Sequence, residues 1–164
     1  MIDSQDLAHL QRCVELAREA LEAGDDPFGS ILVDSKTNLV MREDRNRKIT
    51  EGDATLHPEL TLAQWAGKNL SPDQRASAVV YTSGEHCPMC SAAHAYVGLG
   101  RIVYVSSSLQ LREWMDEFGA QPAPVRPLAI HEVAPSLLVD GPAPPGLAAE
   151  VKELHRLRIA RSTQ

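Results

Sequence analysis

From Gln5 to Ala23 apolar side chains recur at helical spacing, with Leu7, Leu10, Val14, Ala17 and Leu21 on one stripe and Gly24 closing the pattern as a C-cap. That predicts a first helix. "FGSILVD" and "LVMREDRN" are short strand-like runs parted by the turn-forming "SKTN", which predicts a β-hairpin. "LHPELTLAQWAGKNL" returns to a helical period and stops before Ser71-Pro72. "SAVVYTS" and "RIVYVSS" are β-branched runs of strand length, and the segment between them, from Cys87 to about Val97, reads as a helix. Strands alternating with helices predict α/β layers in which the later strands run parallel. Beyond Ser108 the pattern weakens. "LQLREWMDEFG" predicts a short helix, prolines restrict "AQPAPVRPLAIHEV" and "PSLLVDGPAPPG" to short strands or loops, and "LAAEVKELHRLRIARS" predicts a closing amphipathic helix.

With 164 residues, 43% of them hydrophobic, the chain is expected to form one domain over residues 1–164. Its formal charge of -6 argues against a protein whose main work is gripping nucleic acid, because phosphate binding relies on clustered Lys and Arg. The N-terminus lacks a basic stretch leading into an apolar core, and no apolar run is long enough to span a bilayer. A soluble, cytoplasmic protein with no membrane partner is expected. Three cysteines do not make a disulfide framework; in a reduced compartment a close pair more often signals metal or redox chemistry.

That pair is Cys87 and Cys90 in "YTSGEHCPMC", at the start of the predicted helix after a strand. Unpaired N–H groups and the helix dipole favour a thiolate there, and i, i+3 spacing puts both sulfurs on one face. A metal site, a redox pair and two inert buried thiols all suit this stretch. "ATLHPELTLAQWA" favours metal. His57 opens a second helix there, Glu59 follows two positions later, and Thr55 is a candidate cap. Positions i and i+2 diverge, so one residue can bind an ion while the other reaches toward what the ion holds. His57, Cys87 and Cys90 would leave a fourth position for water, whose pKa zinc lowers to about 7, with Glu59 to shuttle its proton. H-x-E followed by P-C-x-x-C is the pattern of zinc deaminases, in which water attacks the ring carbon bearing an exocyclic amine.

On these motifs the chain resembles the cytidine deaminase-like superfamily, within it the free-base branch containing fungal cytosine deaminase and bacterial guanine deaminase. The likeness runs from about Leu10 to Ser106; "EGDATLHPE" looks like the cytosine enzyme, "DDPFGSILVD" and "YTSGEHCPMC" more like the guanine enzyme. It implies a three-layer α/β/α sandwich around a mixed sheet of about five strands. It also implies one zinc per chain on His57, Cys87 and Cys90, with Glu59 as acid and base. Asn46 would bond the ring carbonyl of the substrate, Phe28 would form part of an apolar wall for the base, and the Cys87 N–H could stabilise developing charge. Two positions depart from the family: His86 stands where proline is usual, and Pro58 where a small residue is usual. His86 is expected to face solvent, and His94 to lie behind the ligands or in the core.

The chemistry admits cytosine, 5-azacytosine, guanine, adenine and amino-triazines, since each carries an amine on an electron-poor C=N carbon. Specificity is expected beyond Ser106, where Trp114 could stack on a base and Asp116 and Glu117 accept from it. The same segment also reads as a helix whose apolar face is Trp114 and Phe118. His155 and Arg156 could line the pocket mouth or be exposed. A tRNA adenosine deaminase remains an alternative because Lys152, Arg156, Arg158 and Arg161 make the last helix basic; a non-catalytic or redox protein is another. The superfamily implies a homodimer or larger homo-oligomer, with "AHAYVGLGR" as the expected packing segment.

Overall fold

The computed structural model describes residues 1–162; the last two positions of the expected domain lie outside them. In chain order the elements are α1 (Ser4–Ala23), β1 (Gly29–Asp34), β2 (Leu39–Arg45), α2 (Pro58–Asn69), α3 (Pro72–Ser77), β3 (Ala78–Gly84), α4 (Pro88–Val97), β4 (Arg101–Ser106), α5 (Ser108–Glu117), α6 (Ile130–Val133), β5 (Val139–Asp140) and α7 (Pro145–Ser162). The strands form one sheet in the order β2-β1-β3-β4-β5. β1 runs antiparallel to both neighbours, while β3, β4 and β5 are parallel.

Strand alternation sorts the side chains onto two faces. Ile31, Val33, Val79, Tyr81, Val103 and Val105 pack with α1, α5 and α7; Leu32, Ala78 and Val80 pack with α2. Helices on both faces of a mixed five-stranded sheet give the three-layer sandwich. α1 starts where expected because Asp3 and Asp6 form a reciprocal capping box, and Gly24 ends it in the left-handed conformation. Two short helices, α3 and α6, were not expected. α3 carried a legible signal: Ser71 caps it, Pro72 opens it and Gln74 completes a capping box.

Prolines leave β5 only two residues, as the chain after Ser108 foreshadowed. Trp114 corrects an expectation. At 9% exposure it lies in the core with α1 and α7, on the sheet face opposite α2, as the reading of this segment as a helix with an apolar Trp114 face has it, and not on an open pocket wall. Burial of a large apolar ring on the inner face of α5 outweighs any use at a pocket. Asp116 and Glu117 are exposed on the same helix, and Glu117 pairs with Lys152 of α7 at 2.6 Å.

Candidate metal centre and active site

Two helix starts meet beside the C-terminal end of the central strand β3. His57 occupies the N-cap of α2 and Cys87 the N-cap of α4, each followed by a proline at the first helical position. Neither side chain caps its own helix, which leaves the imidazole and the thiol free to turn toward each other. Thr55 is not the cap: its hydroxyl bonds Asp53 at 2.7 Å. Cys90 lies one turn into α4 and is fully buried.

The three side chains close a triangle. Cys87 Sγ is 3.5 Å from Cys90 Sγ and 3.6 Å from His57 Nδ1, and Cys90 Sγ is 3.7 Å from the same nitrogen. A tetrahedral zinc with Zn–S of ~2.3 Å and Zn–N of ~2.0 Å sets edges of about 3.8 and 3.5 Å, so the donor set fits that ion. The neighbouring Cys90 thiol, acting against burial and with help from His57, pushes the Cys87 thiol down to about 4. A thiolate is the ligand form.

Glu59 is buried with its carboxylate beside the triangle, Oε2 lying 3.8 Å from Cys90 Sγ. Its Oε1 faces two hydroxyls, Thr82 at 2.9 Å and Ser30 at 3.1 Å. Burial raises the Glu59 carboxyl above the ordinary carboxylate range. Ser30 and Thr82 were not singled out from the sequence. The signal was faint but present: each is a small polar residue at an inward position of an apolar strand, and they pair across β1 and β3.

Asn46 is 2% exposed at the end of β2. Its N–H bonds the Phe28 carbonyl at 2.9 Å and its side-chain oxygen accepts the Lys48 N–H at 3.0 Å, so the amide NH2 is the end left to offer. Asp25, buried and not anticipated, holds that loop: it accepts the N–H groups of Ile49 and Thr50, the Thr50 hydroxyl and the Arg45 guanidinium. Phe28 lies over Gly84, where an added Cβ would sit 3.1 Å from its ring.

His86 corrects another expectation: it is 1% exposed, not a solvent-facing loop residue. It packs edge-to-face on His94 with ring centroids 5.3 Å apart. His94 is a core histidine whose Nε2 meets the Gly100 carbonyl at 2.8 Å. Of the two C-terminal candidates, Arg156 is exposed and paired with Glu153, whereas His155 is buried against Phe28.

The family model for the cytidine and deoxycytidylate deaminase zinc-binding region matches residues 3–106. The chain is 29% identical to the probable cytosine deaminase of Schizosaccharomyces pombe over 121 residues, covering 74% of this chain and 72% of that one. It is 40% identical to the guanine deaminase of Bacillus subtilis over 85 residues, covering 51% of this chain and 53% of that one, so it spans about half of that relative's length. A solved guanine deaminase from Nitrosomonas europaea shares the fold at a TM-score of 0.72 and 19% identity, over 98% of this chain and 86% of that one. The matched span contains both helix starts and all three members of the triangle, and the chain belongs to the cytidine and deoxycytidylate deaminase family.

Proposed function

We propose that this deaminase removes the exocyclic amine of a free nucleobase or a related amino-substituted heterocycle, using one zinc on His57, Cys87 and Cys90. The observation that carries it is the triangle of ligand atoms, all within 4.8 Å of one another, with a buried carboxylate set against it. Zinc in that triangle would supply Lewis-acid activation of a water at neutral pH. Glu59, oriented by Thr82 and Ser30, takes one proton of the attacking water and gives it to the ring nitrogen, then carries the second, from the hydroxyl now on the ring carbon, to the departing amine. Ammonia leaves. Asn46 offers its NH2 to the ring carbonyl, and Phe28 supplies the apolar wall.

A small substrate is favoured over tRNA by the state of the last helix. Lys152 pairs with Glu117, Arg156 with Glu153 and Arg158 with Asp26, while Arg161 bonds the Leu21 carbonyl at 2.9 Å. Three of these four cations are already paired with carboxylates of the chain, which leaves little charge for counterion release. A homo-oligomer is supported by α4, which leaves Tyr96 91% exposed beside small residues. Among the described residues no helix is long and apolar enough to cross a membrane.

The test is ammonia release by the zinc-loaded protein against cytosine, 5-azacytosine, guanine, ammeline, adenine, their nucleosides and an anticodon stem-loop. Turnover of a free base is expected. Silence on every base with activity on the stem-loop would overturn the substrate class and leave the chemistry standing.

A further inference from the structure

Asp25 is fully buried directly after Gly24, the C-cap of α1, and its N–H bonds the Ala20 carbonyl at 2.9 Å. An acid there meets the unfavourable end of the helix dipole, and a buried charge is costly without partners. It is not placed for the benefit of α1. Its Oδ1 accepts the N–H groups of Ile49 at 2.7 Å and Thr50 at 2.9 Å, and its Oδ2 takes the Thr50 hydroxyl at 2.7 Å and the Arg45 guanidinium at 2.9 Å.

These bonds converge on Asn46. The same Arg45 Nη1 that meets Asp25 also donates to the Asn46 carbonyl at 2.9 Å. The amide next to Ile49 is that of Lys48, whose N–H donates to Asn46 Oδ1 at 3.0 Å. A backbone N–H can only donate, so the atom facing it is the oxygen, and the NH2 is the end turned away from the loop. The loop itself borders the metal triangle. The Arg47 N–H bonds the carbonyl of Leu56, the residue before His57, at 3.2 Å, and the Thr61 hydroxyl in the first turns of α2 bonds Asp44 at 2.5 Å.

We propose that Asp25 is a positioning residue for substrate recognition: through Arg45 and the amides from Lys48 to Thr50 it holds Asn46 with its NH2 toward the base. This rests on the free-base reading above, in which Asn46 meets the ring carbonyl. Released from these bonds, the Asn46 amide can turn over and set its oxygen against that carbonyl, lone pair to lone pair. A fixed amide avoids this and binds the base without first being ordered.

The experiment uses Asp25→Asn, which keeps the size and an acceptor for Ile49 and Thr50 but loses the charge that holds Arg45, and Arg45→Met, which keeps the stem and removes the donor. Each is made in wild type and in Asn46→Ala, and zinc content, circular dichroism, KM and kcat are measured for each base that wild type deaminates. The expected result is KM raised about tenfold in both single variants, the equivalent of one hydrogen bond, with kcat within about threefold and zinc retained. In the Asn46→Ala background neither change should raise KM further by more than about twofold, because the group they act through is gone. KM unchanged in both single variants would overturn the assignment alone. So would the same loss repeated without Asn46, or loss of zinc or fold in both, since either makes Asp25 a packing residue. KM unchanged in Asn46→Ala itself would remove the Asn46 contact and this assignment with it. A wild-type protein silent on every base would overturn the free-base reading as a whole.

Discussion

The hydroxyl of Thr82 stands 2.9 Å from Oε1 of Glu59, inside the sheet and out of reach of solvent. In the proposed reaction Glu59 shuttles protons and has to be aimed; this contact would aim it, with Ser30 3.1 Å away on the same oxygen. Thr82→Val removes the hydroxyl at nearly constant volume. Turnover is expected to fall roughly tenfold, the equivalent of one hydrogen bond to a charged group. Steady-state ammonia release checks this, and an unchanged kcat would show that Ser30 suffices.

Glu59→Gln keeps the shape and burial of the side chain and deletes its proton transfer. Turnover should drop by about 100-fold to 10,000-fold while bound zinc, read by elemental analysis, stays at one per chain. Activity within tenfold of wild type would remove Glu59 from the acid and base role.

The triangle ties the starts of α2 and α4 together, so occupancy should appear as stability. Zinc at about a thousandfold over its Kd contributes about 4 kcal/mol, or roughly 8–16 °C in Tm for a chain of this size. Thermal melts with and without chelator should differ by that much for wild type and hardly at all for Cys87→Ala. Equal shifts in both would mean that the ion binds elsewhere.

Acid should weaken the fold in two windows. His94 and His155 are neutral inside the protein, burial pushing each down to about 4, whereas an unfolded histidine titrates near 6.5. Between those values the unfolded chain binds protons that the native chain refuses, so stability falls as pH drops from about 6.5 to about 4. Lower still, Asp6 and Asp25 dominate. Burial opposes their ionisation, but bonds from Arg101, the Asp3 N–H and Tyr81 to Asp6, and from Thr50, Arg45 and the Ile49 N–H to Asp25, outweigh it and hold both below the ordinary range. Their contribution is complete above about pH 4 and disappears as pH falls through the lowered native values. Urea unfolding at a series of pH values should show both windows, with the upper one shallower in His155→Phe.

Much of the centre was legible because its chemistry is local. Cys87 and Cys90 share a helix face by spacing alone, and a histidine just before Pro58 stands at a helix start. The helical period, the hairpin turn and the Gly24 C-cap of α1 depend on neighbours in the chain, and each appears where the pattern placed it. α3 was missed although Ser71, Pro72 and Gln74 announced it, because the proline was read only as an end to the preceding helix.

Other features depend on neighbours distant in sequence. Strand order decides that β1 lies beside β3, and with it that Ser30 and Thr82 flank Glu59. Whether Trp114 enters a pocket or a core depends on which face of the sheet α5 covers, and whether His86 meets water depends on α4 closing over it. His155 is the extreme case, placed against Phe28 by a helix more than 100 residues later in the chain. Spacing along the chain singled out His57, Cys87 and Cys90 as a candidate donor set; the packing of helices on two faces of a twisted sheet brought the three together and decided what surrounds them, because burial and alignment are properties of contacts between segments, not of any segment alone.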